Sequence, residues 1–207
     1  MVGLSVGPFA SNCYLLWRRG DSRALVVDPG DDAAEIASAL KKRDLVVERY
    51  LITHGHVDHV TALADLCDAF PAPVSMHPLD SAWAFTERNT LPPFYPQPPR
   101  PAPIDRELGD GQTWADAGFT YTVLHTPGHS RGSVSFHFPE PGWLFPGDVL
   151  FCGSVGRTDL PGGDWLTLQK SLRRLMTLPD ATRVFPGHGP ETTISQERVS
   201  NPFLRID

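Results

Sequence analysis

Residues 53–59 read Thr53-His54-Gly55-His56-Val57-Asp58-His59, which places four side chains able to ligate a metal within six positions. The run 49–52 before them reads as a strand, and apolar residues at helical spacing from Val60 to Asp68 read as a helix, so the motif occupies a strand-to-helix turn. Alternate residues of an extended segment face the same way, which lets His54 and His56 converge on one ion. Asp58 and His59, where the chain bends into the helix, are then placed for a second. A lone His-x-His is more simply read as loop histidines bonded to water or backbone. Four donors around a Gly favour a metal site.

Three further donors follow Pro-Gly corners: Pro127-Gly128-His129, Pro146-Gly147-Asp148 and Pro186-Gly187-His188, each after a strand-like run at 121–124, 143–145 and 183–185. Pro presets φ at the first central position of a turn and Gly tolerates positive φ at the next, so the following side chain projects from a stiff corner. Pro-Gly occurs six times in the chain and marks turns generally, so the weight rests on the donor after it and the strand before it. Seven donors exceed the roughly three protein ligands of a single catalytic zinc. They divide into His54, His56 and His129 around a first divalent ion and Asp58, His59 and His188 around a second, with Asp148 bridging. Two such ions sit about 3.5 to 4 Å apart. Imidazole and carboxylate donors without a thiolate suit zinc, taken first, or iron or manganese.

Taken in order, Val27-Asp28-Pro29-Gly30, Thr53 to His59, Thr126-Pro127-Gly128-His129-Ser130, Gly147-Asp148, Gly156-Arg157-Thr158-Asp159 and Pro186-Gly187-His188-Gly189 make the chain resemble the metallo-β-lactamase superfamily over nearly its whole length. Within it the nearest likeness is to the glyoxalase II-like branch, the hydroxyacylglutathione hydrolases. The resemblance implies an α/β fold, a four-layer αβ/βα sandwich with its metals on one edge of the sheets, and the same seven ligands. It makes Asp28 the residue that orients a ligand histidine, in keeping with the habit of metal-bound imidazoles of donating their other N–H. An Asp at position 148, and no Cys among the ligands, is similar to the thioesterase branch and unlike lactamases with a Cys ligand.

Composition agrees. With 207 residues, 41% of them hydrophobic, the chain is expected to form one domain over residues 1–207. A net charge of −6 without any Lys/Arg run argues against nucleic acid as a partner, and RNA-processing members of the superfamily carry a further domain for which there is no room. Cys13, Cys67 and Cys152 show no paired spacing, as expected in a reducing cytoplasm. No basic residue precedes Arg18, and no apolar run approaches the roughly 20 residues that span a bilayer, so neither a signal peptide nor a membrane is expected.

Strands are expected at 2–6, 13–17, 24–27 and 74–76 and on either side of His129 and Asp148, with helices over 32–41, 79–85 and 165–177. This alternation predicts a layered α/β domain. Leu91 to Pro103 contains seven prolines with Phe94 and Tyr95 among them. Such a semi-rigid aromatic loop either walls a substrate pocket or is a surface excursion without function. Arg157 is read as pairing with Asp159 or, less favoured, as contacting substrate. His77, His125 and His137 fall outside the ligand pattern and read as surface or core residues.

Water bridging two divalent ions loses a proton near neutral pH, since one zinc lowers the pKa of bound water to about 7. The hydroxide attacks a carbonyl polarised by one ion, with Asp58 and Asp148 as the catalytic carboxylates. A thiolate, with a pKa near roughly 8.5, leaves without much help from an acid, so a small-molecule thioester such as S-lactoylglutathione is the expected substrate. Only nineteen residues follow His188, where longer members of the branch carry a helical glutathione-binding domain, so a short form is expected. Other readings are a persulfide dioxygenase with one iron on the positions of His54, His129 and Asp148, an esterase or lactonase of the same superfamily, and a metal-binding module without catalysis.

Overall fold

In the computed structural model, which describes residues 1–101 and 104–204, the first six strands pair in chain order. β1 (Val2–Val6), β2 (Ser11–Trp17) and β3 (Arg23–Val27) form an antiparallel meander. Helix α1 (Ala33–Lys41) then crosses to β4 (Val46–Leu51), parallel to β3. Helices α2 (Val57–Val60) and α3 (Leu63–Ala69) cross to β5 (Val74–Met76), parallel to β4. One helical turn, α4 (Pro78–Ser81), and the Pro-rich loop lead to β6 (Ile104–Glu107), which completes the sheet.

The second sheet starts with β7 (Thr113–Asp116), β8 (Phe119–His125), β9 (Val134–Phe138) and β10 (Trp143–Gly147), each antiparallel to the one before. A small hairpin, β11 (Leu150–Phe151) and β12 (Ser154–Val155), and helix α5 (Trp165–Leu175) follow. β13 (Arg183–Pro186) then joins β10 in parallel, β14 (Thr192–Thr193) forms the edge, and α6 (Ile194–Ser200) follows it.

The layering follows from side-chain alternation. In β2 and β3, Cys13, Leu15, Ala24 and Val26 face one way, into a core shared with Ile36 and Leu40 of α1 and Leu63 and Leu66 of α3. Their neighbours Tyr14, Leu16, Leu25 and Val27 face the other way and meet Phe119, Tyr121, Phe136, Phe138, Phe145 and Phe185 of the second sheet. Leu144 and Val184 leave the outer face of that sheet to Leu168, Leu172 and Leu175 of α5. Strands buried on both faces read as continuous apolar runs, as these do. Helices, sheet, sheet and helices make the expected four-layer αβ/βα sandwich.

Two expected helices are modified. The one over 60–68 is interrupted at Thr61 and Ala62, where the Thr61 N–H reaches both the Gly30 and Val57 carbonyls at 3.1 Å and its hydroxyl also takes Val57 O. The one over 79–85 stops after one turn. Beyond it Asn89 Nδ2 captures the Ala84 carbonyl and Thr86 Oγ1 the Trp83 carbonyl, so side chains take acceptors that a continuing helix would use.

Candidate metal centre

Five strands open onto one edge. β3 and β4 run parallel, as do β10 and β13, and β8 is antiparallel to β9, itself antiparallel to β10. Each of the five releases donors just past its C-terminal end: Asp28 after β3, the 53–59 segment after β4, His129 after β8, Asp148 after β10 and His188 after β13. The Pro-Gly corners let them approach closely. Gly147 sits at φ 54° where an added Cβ would lie 2.4 Å from Thr53 Oγ1, and a Cβ on Gly187 would lie 2.1 Å from Asp148 Oδ1.

All seven expected donors meet here. Ligand atoms of His54, His56 and His129 lie within 4.8 Å of one another, as do those of Asp58, His59 and His188. Asp148 stands between the groups. Its Oδ1 is 3.4 Å from His59 Nε2, and its Oδ2 is 3.5 Å from His129 Nε2 and 3.6 Å from His188 Nε2. Asp28 also lies within 4.8 Å of His54 and His59, but its carboxylate is committed elsewhere. Oδ1 accepts the Thr53 N–H at 2.8 Å, while Oδ2 accepts the Thr53 hydroxyl at 2.5 Å and faces His59 Nδ1 at 3.2 Å. It orients rather than ligates.

The imidazoles are wired so that one nitrogen of each faces inward. His59 Nδ1 is held by Asp28, His129 Nδ1 by the Arg157 carbonyl at 2.8 Å and His188 Nδ1 by the Phe9 carbonyl at 3.1 Å. His54 Nδ1 meets Thr53 Oγ1 at 3.0 Å, and because that hydroxyl gives its proton to Asp28, the imidazole is the donor. Nε2 is left to face the centre in all four. His56 instead turns Nδ1 inward, 2.8 Å from His129 Nε2.

This arrangement fits divalent ions. His54 Nε2 and Asp148 Oδ1 are buried without a hydrogen-bond partner, which is costly unless a cation completes them. Inward-facing nitrogens also confront each other at 2.8 Å (His56, His129) and 3.3 Å (His59, His188), close enough to repel unless a proton or a metal lies between. Burial, then neighbouring imidazoles, holds His54 well below the ordinary histidine range and His56 down to about 3. At His59 burial works the same way, but Asp148, Asp58 and Asp28 together outweigh it and raise the group to about 10. His188 is also raised, against its burial, by Asp58 and Asp148. Asp58 is held well below the usual carboxylate range, since His59, His188 and the Ser11 hydroxyl at 2.9 Å outweigh its burial.

The other expected residues fall at different depths. Arg157 contributes its carbonyl to His129, while its exposed guanidinium pairs with Asp159 at 2.6 Å. Phe94 is 55% exposed and packs 5.4 Å from Phe9, the residue whose carbonyl holds His188, so it stands near the rim. Tyr95 is buried, 5.5 Å from the same Phe9 ring, and does not face the solvent. Of the Pro-rich loop, Ala102 and Pro103 lie outside the described residues. His77 and His125 stack 4.5 Å apart away from the centre, and half-buried His137 lies in β9. Not anticipated was Asp80, a fully buried carboxylate bonded to the loops of His54, His56 and His129. Nothing at or around position 80 signals that role, because its partners are 25, 50 and 52 positions away.

Two adjoining triads joined by a carboxylate, on the rim of an αβ/βα sandwich, define a protein built to hold divalent metal ions as cofactor. The model of the metallo-beta-lactamase superfamily matches residues 6–188, and the chain belongs to that superfamily. It is 38% identical to a probable metallo-hydrolase, YqgX, of Bacillus subtilis, over 97% of this chain and 95% of that one. It is 36% identical to the hydroxyacylglutathione hydrolase GloC of Haemophilus influenzae, over 97% and 96%. Among solved structures, the BLEG-1 B3 metallo-beta-lactamase superposes with a TM-score of 0.91 at 39% identity, covering 99% of each chain. TTHA1623 in a di-iron-bound form superposes with a TM-score of 0.83 at 40% identity, covering 99% of this chain and 100% of that one. Among the described residues no helix is long and apolar enough to cross a membrane.

Proposed function

We propose that the chain is a hydrolase that uses two divalent metal ions to cleave a small-molecule thioester of the hydroxyacylglutathione type. The observation that carries this reading is the completeness of both triads, with the two oxygens of Asp148 turned to His59 on one side and His129 on the other. When bound, such a pair of ions supplies a hydroxide nucleophile and polarises the acyl carbonyl. Zinc suits the donors, and the di-iron state of TTHA1623 keeps iron beside it.

The chain's own groups favour a thioester over an ester or lactone. The depressed proton affinity of Asp58 keeps it ionised at neutral pH, so it has no proton to give a leaving group. A thiolate leaves without one; an alkoxide does not. The Phe9 carbonyl holds His188 through Nδ1 at 3.1 Å, and Asp28 and Thr53 hold His59 and His54. The similarity to GloC points to the same substrate class.

A second reading rests on Gly156-Arg157-Thr158-Asp159, which resembles the same turn of persulfide dioxygenases and whose Arg157 carbonyl holds His129. One iron on His54, His129 and Asp148 leaves the Asp58, His59 and His188 triad without a purpose, so hydrolysis is favoured. The test is metal analysis of anaerobically purified protein with parallel assays on S-lactoylglutathione, a lactone, a β-lactam and a glutathione persulfide. Two ions with preferential thioester cleavage is the expected result. One iron with sulfite production, or a faster rate on the lactone or β-lactam, would overturn the assignment.

A further inference from the structure

Asp80, in α4, belongs to neither triad and is fully buried. Its Oδ2 accepts the Gly55 N–H at 2.9 Å and the Ser130 hydroxyl at 2.5 Å, and its Oδ1 accepts the Gly132 N–H at 2.7 Å. Gly55 separates His54 from His56, and Ser130 follows His129. One carboxylate therefore joins the two loops that supply the first triad, and it bonds to neither Asp58, His59 nor the His188 loop.

The segment after it grips the same loop. Asn89 Nδ2 donates to the Gly55 carbonyl at 2.8 Å, so Gly55 is held at its N–H by Asp80 and at its C=O by Asn89. The Trp83 ring lies 5.4 Å from that of His56. The loops have one direct backbone bond near the centre, Val134 N–H to Thr53 O at 2.8 Å, and it lies on the far side of His54 from Gly55. A buried carboxylate is expensive to desolvate, and here its hydrogen-bond donors are backbone amides and a hydroxyl rather than a cation. Where only packing is needed, an apolar side chain fills such a place at less cost. Three short bonds of fixed direction do what packing does not: they set the separation of two loops.

We propose that Asp80 is a positioning residue that holds His54, His56 and His129 at ligand spacing and so sets the affinity of the first metal position. The proposal rests on the two-ion reading above. In Asp80→Asn one acceptor oxygen becomes a donor that confronts the Gly55 N–H or the Gly132 N–H. Ser130→Ala removes a single bond with the carboxylate intact and guards against loss of fold in the first variant.

Two measurements decide it. Zinc content and chelator competition on the purified proteins should show one of two ions weakened about 10 to 100-fold in Asp80→Asn, less in Ser130→Ala, and the other ion unchanged. Hydrogen exchange of the metal-free proteins should show residues 53–57 and 128–133 losing protection together in Asp80→Asn while 186–190 exchange as in the wild type. Equal weakening of both ions, unchanged affinities, or exchange that rises everywhere or nowhere would overturn the proposal. A wild type with one ion would instead refute the two-ion reading, and the exchange pattern would still decide whether Asp80 couples the loops.

Discussion

Replacing Asp28 by Asn would alter the second triad without touching a ligand. All three partners of this 2%-exposed carboxylate are donors: the Thr53 N–H, the Thr53 hydroxyl and, in the metal-loaded protein, the His59 Nδ1–H. That leaves His59 Nε2 bare toward Asp148 Oδ1 and His188 Nε2, 3.4 and 3.3 Å away. An amide offers one acceptor and one donor. With its NH2 toward His59, the imidazole must carry its proton on Nε2, the ligand nitrogen. Flipped, it meets the Thr53 N–H, which cannot accept, and an unpaired buried donor costs about 1 to 3 kcal/mol. This flipped outcome leaves His59 its acceptor and falls on Thr53, beside His54. The first outcome falls on His59 and the second position, whose affinity should drop about 10 to 100-fold, or about 1.4 to 2.8 kcal/mol. Competition against a chromophoric zinc chelator, with both ions resolved, measures it. An unchanged second ion would refute the orienting role of Asp28.

Asp148→Ala removes the carboxylate that faces both triads and should lower metal content at both positions and abolish turnover; a variant that keeps two ions and its rate would show that Asp148 does not bridge. Metal affinity should depend on pH unequally. His59, raised to about 10, is protonated in the metal-free protein across neutral pH, so second-ion affinity should climb as pH rises from 6 to 9, whereas His54 and His56, already bare there, add no such slope at the first position. Parallel pH profiles for the two ions would contradict this. Phe94→Ala should raise KM for thioesters with metal content and Tm unchanged. Unchanged kinetics with every substrate in Phe94→Ala would take that side chain out of the substrate's path.

The donors were legible because each follows an apolar strand through a short, chemically distinctive turn, so local pattern and function coincide in one stretch of chain. The layers were legible for a similar reason, since β2, β3 and β10 are apolar on both faces. Other parts have no such signature. β6 and β7, Ile-Asp-Arg-Glu and Thr-Trp-Ala-Asp, are four-residue, half-exposed edge segments whose strand character comes from their pairing partners. Phe94 and Tyr95 are adjacent aromatics in one Pro-rich loop, and nothing in their local sequence distinguishes the one that is exposed from the one that is buried. Asp80 reads like any polar residue of a short helix.

Spacing divides the seven donors into two equivalent halves; their surroundings make the halves unequal. His54 and His56 sit among other imidazoles, are depressed by burial, and are uncharged at neutral pH. His59 and His188 face Asp58 and Asp148, with Asp28 behind His59, and are raised. In one position, therefore, two of the nitrogens belong to uncharged imidazoles, on a loop that Asp80 hydrogen-bonds. The other is an anionic pocket whose carboxylates favour a protonated His59, a proton that a metal would have to displace. Asp148 belongs to both, so a cation in either position lowers the proton affinity of the other through a few ångströms of poorly screened space. That coupling follows from where three carboxylates lie around five imidazoles, and it is why the two positions are expected to differ in pH dependence even with Asp148 as the bridging ligand we propose.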